Sequence, residues 1–156
     1  MGGLKLSSFF SQFALYYKQQ KNKVMGYTHY YYRASKLAKK QFNLFAKDVE
    51  KIFEFAKEND YLLAGEMGEE GTLPIANEEL ICFNGVGVDS CESLFINRVD
   101  YSQSVRGFVS EWCKTCRNPY DDIVVAVLIR FKHHFPKVKL DIGDLKEGAE
   151  ICNKIF

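Results

Sequence analysis

The fold turns on one stretch, Asn118-Pro119-Tyr120-Asp121-Asp122-Ile123-Val124-Val125-Ala126-Val127-Leu128-Ile129-Arg130-Phe131. Its first five residues read as a helix start, because Asn caps well, Pro suits the first helical position and acids complement the amino-terminal end of the dipole. Ile123 to Phe131 then offers almost no polar face, which predicts a largely buried helix. Its β-branched residues leave a strand as the second reading. Lys132, His133 and His134 suit the carboxyl end, and Pro136 stops the helix.

Working outward, Phe42, Phe45, Ala46, Val49, Ile52, Phe53 and Ala56 recur at steps of three and four, with charged residues mostly between them. That spacing predicts an amphipathic helix over 38–58. The aromatic run from Met25 to Arg33 predicts a strand over 26–33. Short strands are expected at Tyr61–Ala64, Glu79–Phe83, Ser93–Asn97 and Gly107–Glu111, around a flexible acidic loop at 65–72. Asn84-Gly85 is a strong turn signal. Val138–Ile142 reads as a last strand and Leu145–Phe156 as a short closing helix. The pattern indicates an α+β fold, a mostly antiparallel sheet packed by two main helices. Residues 1–24 form a basic arm, with an amphipathic stretch at Leu4–Tyr17, ahead of a single domain over 25–156.

The chain of 156 residues is 47% apolar and 15% aromatic, enough for one sizeable core. No apolar run approaches the roughly 20 residues that span a bilayer. The formal net charge of +1 hides an asymmetry: residues 1–51 hold ten of the 21 basic residues but only Asp48 and Glu50 among the acids. A nucleic acid or membrane surface is one reading of that basic third; the solvated face of a helix is the preferred one. Five cysteines, an odd number, and no cleavable leader pattern point to a cytoplasmic chain with free thiols.

Three constellations bear on chemistry. Cys113-Lys114-Thr115-Cys116 has the C-x-x-C spacing of a redox pair, but too little chain follows it for a thioredoxin-like fold. Cys82, Cys91, Cys113 and Cys116 are too loosely spaced to favour zinc, so neither metal nor cofactor is expected. Lys114, Thr115 and Arg117 ahead of the helix start suit an anion, although Asp121 and Asp122 oppose one and Arg117 pairing with them is the plainer reading.

Gly26-Tyr27-Thr28-His29-Tyr30, Phe83-Asn84-Gly85 with Glu92 and Phe95, and Cys113-Lys114-Thr115-x-Arg117-x-Pro119-Tyr120-Asp121 with Val124 together resemble a family. The chain is similar to small proteins of unassigned function from tailed bacteriophages and giant viruses, which open with Met-Gly-Tyr-Thr-His-Tyr-Trp. The resemblance runs from about residue 25 to the C-terminus and implies Met25 as the ancestral start. This chain departs at Tyr31, where Trp is common, at Cys116, where Ala is expected, and across Asp141-Ile142-Gly143-Asp144. The Cys116 departure makes the C-x-x-C pair incidental.

The resemblance carries over a polar set: Thr28, His29, Asn84, Glu92, Cys113, Lys114, Thr115, Arg117, Tyr120 and Asp121. So many polar groups beside apolar elements imply pairing or a ligand. A small anionic or nucleotide-like ligand is the first expectation, with Lys114 and Arg117 holding charge. Thr28, Asn84 and Thr115 would hydrogen-bond it, and Tyr27, Tyr30 or Tyr120 would stack. A small enzyme, a hydrolase or transferase, is the second, with Glu92 or Asp121 as acid or base and His29 or Cys113 as base or nucleophile. A protein–protein adaptor using the basic arm is the third.

Overall fold

The computed structural model describes residues 27–156. The basic arm, its amphipathic stretch and Met25 lie outside the described residues. The chain forms β1 (Thr28–Ala34), α1 (Lys39–Glu58), β2 (Ile75–Ala76), β3 (Leu80–Phe83) and β4 (Leu94–Asn97), then β5 (Phe108–Lys114), α2 (Asp121–His134), β6 (Lys139–Asp141) and α3 (Lys146–Ile155). Two antiparallel three-stranded sheets result, ordered β5-β1-β6 and β2-β3-β4. The fold is α+β. Among the described residues, no helix is long and apolar enough to cross a membrane.

Both main helices follow from their apolar patterns. In α1, Phe42, Phe45, Ala46, Val49, Ile52 and Ala56 are buried, one stripe of a two-faced helix. In α2, Ile123 through Leu128 and then Phe131 are all buried. Burying each such side chain contributes about 1.5–3 kcal/mol, which outweighs the few tenths by which a β-branched residue disfavours a helix. Phe131 stacks on Phe45 at 5.1 Å and meets Tyr31 of β1 edge-on at 6.3 Å, while Phe53 of α1 meets Phe83 of β3. The helices thus pack on both sheets. The Tyr31 hydroxyl donates to the Phe95 carbonyl at 3.0 Å, tying β1 to β4.

Alternation along β1 turns His29, Tyr31 and Arg33 inward. Arg33 is buried but grips Glu111 of β5 with two bonds, Nε to Oε2 at 2.8 Å and Nη2 to Oε1 at 3.1 Å. Burial raises the Glu111 carboxyl above its ordinary range, and the Arg33 guanidinium works against that rise. A second polar pin joins the helices. Asp48 of α1 accepts from Arg130 Nε at 3.0 Å and lies 2.6 Å from His134 Nε2; Gln41 closes on His134 Nδ1 at 2.8 Å.

Several elements differ from expectation. Tyr61–Ala64 is no strand, only a single bridge between Ala64 and Asn84. β2 carries no sequence signal strong enough to announce its two residues. β5 runs to Lys114, three residues beyond its expected end, so Cys113 lies within the strand. α2 begins at Asp121, with no side-chain cap, and Asn118-Pro119 forms the turn before it. The Asp121 amide donates to the Asn118 carbonyl at 2.9 Å.

Two outcomes test this packing. Gly148 of α3 faces α2 so closely that a Cβ would sit 2.7 Å from Val125 Cβ and 2.8 Å from Ala126 N. Gly148→Ala gains about 1 kcal/mol of helix propensity, yet overpacking should turn this into a net loss of about 1–2 kcal/mol, read as a lower melting temperature. An increase would show that α3 retreats freely. For Asp48, burial opposes ionisation, but bonds from His134 and Arg130 outweigh it and hold the carboxyl below its usual value. Its contribution is therefore present above the unfolded value, about 3.9, and is lost as pH falls through the lower folded one. The stability gap between the native chain and Asp48→Asn should be widest above about pH 5 and close on acidification; a pH-independent gap in thermal melts would contradict the pin.

Candidate functional site

Inward alternation on β1 and the start of α2 bring two expected residues into contact. His29 Nε2 lies 2.6 Å from Asp121 Oδ1, and the Thr115 hydroxyl donates to the same oxygen. His29 is wholly buried, whereas the Asp121 side chain keeps 14% of its surface exposed. A neutral imidazole that donates from Nε2 presents Nδ1 as an acceptor. Nδ1 is enclosed, and among the described residues it has no hydrogen-bond partner. Leaving such an acceptor unmet costs about 1–3 kcal/mol.

Tyr27 and Arg117 cover this centre. The Tyr27 ring stands edge-on to His29 with centroids 5.0 Å apart, and the Arg117 guanidinium lies 4.5 Å from the Tyr27 ring centre. Gly143 gives the tyrosine room, since a Cβ there would fall 2.7 Å from ring carbon Cε2. The Tyr27 carbonyl accepts from the Thr115 amide at 3.0 Å and the Cys116 amide at 3.4 Å. Cys116 and Arg117 are both left-handed, with φ of 56° and 57°, an uncommon conformation for residues with a Cβ. A disulfide from Cys116 to Cys91 holds that turn.

Acids rim the centre. Burial raises the Asp122 carboxyl, a bond from the Tyr61 hydroxyl at 3.0 Å opposes the rise, and the charges of Asp121, Glu147 and Asp144 add to it. Burial, and then Asp122, push the Tyr61 hydroxyl up to about 12.

The other expected residues divide. Thr28 and Lys114 pair across β1 and β5 at positions that alternate with buried His29 and Cys113, so they project from the opposite face. Glu92 does not reach His29; its carboxylate accepts from the Lys114 amide at 2.9 Å. The Tyr120 hydroxyl, buried, donates to the Glu92 carbonyl at 2.6 Å and is held from stacking on a ligand. Burial, and then the Glu92 and Asp121 charges, drive the Cys113 thiol far above its ordinary range, so it is no resting nucleophile.

Asn84 is structural. Its Oδ1 accepts from Gly85 N at 2.8 Å and Cys91 N at 3.1 Å, and its Nδ2 donates to the Cys91 carbonyl at 3.0 Å. Gly85 is not left-handed, and Asn84-Gly85 is no two-residue hairpin turn. A Cβ on Gly85 would lie 2.8 Å from Tyr120 Cδ1, so close approach explains the glycine.

Free thiols throughout were expected; Cys91 and Cys116 are instead joined, while Cys82, Cys113 and Cys152 are free and buried. The partner of Cys116 is thus not Cys113, and the four cysteines form no common thiolate set. Among the described residues, no group of three or more His, Cys, Asp and Glu is placed to hold a metal ion. Sequence reasoning passed over Gly143; its one signal was the Asp-Ile-Gly-Asp stretch, where the chain departs from the proteins it resembles. No family model, curated protein or solved structure matches the chain.

Truncating Asn84 strips partners from several enclosed backbone groups. Asn84→Ala should lose roughly 3 kcal/mol in urea unfolding, against a change within about 0.5 kcal/mol for Thr28→Ala on the outer face. Equal stability of the two variants would return Asn84 to the ligand-binding set.

Proposed function

We propose that the protein binds a small nucleoside-like or singly anionic ligand at the centre formed by His29, Thr115 and Asp121, with Tyr27 and Arg117 as its outer wall. One observation carries the proposal: the second nitrogen of a fully buried histidine has no partner among the described residues. A ligand hydroxyl or N–H group would satisfy it. Two consecutive left-handed residues beside it, Cys116 and Arg117, add a conformational cost at the same place. Arg117 supplies a cation, while Asp121, Asp122, Asp144 and Glu147 weigh against a highly charged anion such as a triphosphate. Asp121 and Asp122 occupy the first turn of α2, so the anionic group belongs at Arg117 and not at the helix end.

A second reading has its own support. A histidine held through one nitrogen by a carboxylate, which is itself held by a hydroxyl, is the arrangement of an oriented general base. Here the proton would move to His29 Nδ1, with Asp121 stabilising the imidazolium. The buried Cys113 thiol makes covalent catalysis the weaker form of this reading.

Both readings meet in one experiment. The full chain is incubated with nucleosides, nucleoside monophosphates and small monocarboxylates, and bound material is identified by mass spectrometry. Intact ligand, with affinity reduced at least about tenfold in His29→Gln and Arg117→Ala (about 1.4 kcal/mol), is the expected result. Conversion of the ligand, lost in His29→Gln, would favour the general-base reading. No thermal stabilisation by any ligand, or stabilisation indifferent to His29→Gln, would sink both.

A further inference from the structure

The Cys91–Cys116 disulfide joins two segments that are held unequally. Cys91 is fixed on both sides: its amide donates to Asn84 Oδ1 at 3.1 Å, and its carbonyl accepts from Asn84 Nδ2 at 3.0 Å. The next residue is tied as well, the Glu92 amide donating to the Lys114 carbonyl at 2.9 Å. Cys116 sits in a turn that is left-handed at two successive residues, and its amide reaches the Tyr27 carbonyl only at 3.4 Å. A backbone with side chains persists in that region where its surroundings hold it there. The disulfide is the covalent part of that hold.

The chain between the two cysteines contains β4 and β5, and each strand has its own sheet partner, β3 for β4 and β1 for β5. Opening the link therefore releases the turn without dismantling a sheet. Cys116 is exposed while Cys91 is half-buried against the core, so an attacking thiolate meets Cys116 first. Cys113 lies buried in β5, its thiol donating to the Glu92 carbonyl at 3.4 Å, and is no substitute partner for Cys116.

We propose that Cys116 is the entry sulfur of a reversible thiol–disulfide exchange site, and that the state of this pair sets access to the His29 centre. The co-reactant is a dithiol. One of its thiolates attacks Cys116 Sγ, the Sγ–Sγ bond breaks, and Cys91 leaves as a thiolate that takes up a proton. The second sulfur of the dithiol then attacks the mixed disulfide and releases Cys116, which is protonated in turn. Two electrons pass to the protein, which gains two thiols, and the dithiol becomes a disulfide. The effect on the centre follows from the contacts around the turn. The Thr115 and Cys116 amides hold the Tyr27 carbonyl, the Arg117 guanidinium lies on the Tyr27 ring, and that ring covers the wholly buried His29. With the pair oxidised this wall is shut; with it reduced the turn relaxes and the wall gives way. The regulatory meaning rests on the reading of His29 as a ligand-binding centre, whereas the exchange and the change in access do not.

The full chain, purified without reductant, is alkylated in its folded state with iodoacetamide before and after treatment with dithiothreitol, and the labelled cysteines are mapped by peptide mass spectrometry. Cys91 and Cys116 should take label only after reduction, with Cys82, Cys113 and Cys152 unlabelled throughout. Access to His29 is read without any ligand, from its rate of carbethoxylation by diethyl pyrocarbonate once the reductant has been removed under argon. Exposed His133 serves as the internal standard. His29 should react several-fold faster in the reduced chain, and reoxidation with glutathione disulfide should restore the slow rate. Cys91→Ser combined with Cys116→Ser should show the fast rate without reductant; should that variant fail to fold, reduction and reoxidation of the native chain carry the test alone. Label on Cys91 or Cys116 before reduction overturns the exchange site. So does a pair that resists the reductant in the folded chain, or label on all five cysteines after reduction, which would make the disulfide a support of the whole fold. A His29 rate indifferent to reduction overturns the control of access and leaves the ligand reading standing. Failure to find any ligand sinks that reading and leaves the control of access intact.

Discussion

A helix without a polar face has to be enclosed, and the rest of this molecule is arranged to enclose α2. Ile123 through Leu128 and Phe131 present apolar groups in every direction. α1 covers one side through Phe45, β1 another through Tyr31, and α3 a third through the close approach at Gly148. Each partner offers α2 an apolar face, and the arrangement gathers those faces around a single axis. Docking α2 this way also sets where its first residue lies. Asp121 is brought to the end of β1, and the histidine that β1 turns inward there meets its carboxylate. The location of the candidate centre is therefore a consequence of core packing, while its polar composition is not.

That composition has two kinds of inward polar residue, and they differ in how completely they are met. Arg33 lies in the same inward row as His29 and is equally buried, but Glu111 and the Ala34 carbonyl take up its donors. Asn84 is likewise enclosed and fully engaged by the loop around Cys91. These are the solutions a fold requires of buried polar groups. His29 is met on one side only.

Much of this was legible because periodicity reports burial. The stripe from Phe42 to Ala56 and the unbroken run from Ile123 to Phe131 could each be satisfied by one kind of element, and both helices formed within a few residues of the expected positions. The failures occurred where tertiary contact overrode local chemistry. Tyr61–Ala64 is apolar enough for a strand, but its tyrosine turns to Asp122 and only Ala64 bridges Asn84. Asn84-Gly85 has the composition of a tight turn, yet the glycine is there to let Asp89 and Tyr120 approach. Asn118 and Pro119 are good starters for a helix that begins one turn later, because the turn from Thr115 uses them first. For the site, His29, Thr115 and Asp121 were each identifiable as polar groups beside apolar elements. Strand alternation then removed Thr28 and Lys114 from the same face, a distinction that depends on knowing where β5 ends. The Cys91–Cys116 pairing had no local signal, since spacing drew attention to Cys113 instead.

Three unusual features of the described chain meet in one place, although Asp60 and Arg106 are also left-handed and Asn43 Oδ1 of α1 is also buried without a hydrogen-bond partner. The Arg33 pair and the Asp48 pin follow the rule that buried polar groups are met. Around His29, an unmet buried nitrogen, two successive left-handed residues and a cysteine turned away from its nearest neighbour in sequence all fall within the junction of β1, β5 and α2. A stable fold has little reason to place several unfavourable features together when each could be removed singly: a Gly at Cys116 or Arg117 would relieve the backbone, and an apolar residue at His29 would remove the unmet nitrogen. Natural sequences tend to break their own rules where function demands it. The neighbouring set of Asn84, Tyr120 and Glu92, by contrast, is internally bonded and holds the loop against β5. The difference between those two clusters, drawn from the same short motifs, is what singles out His29 and Asp121.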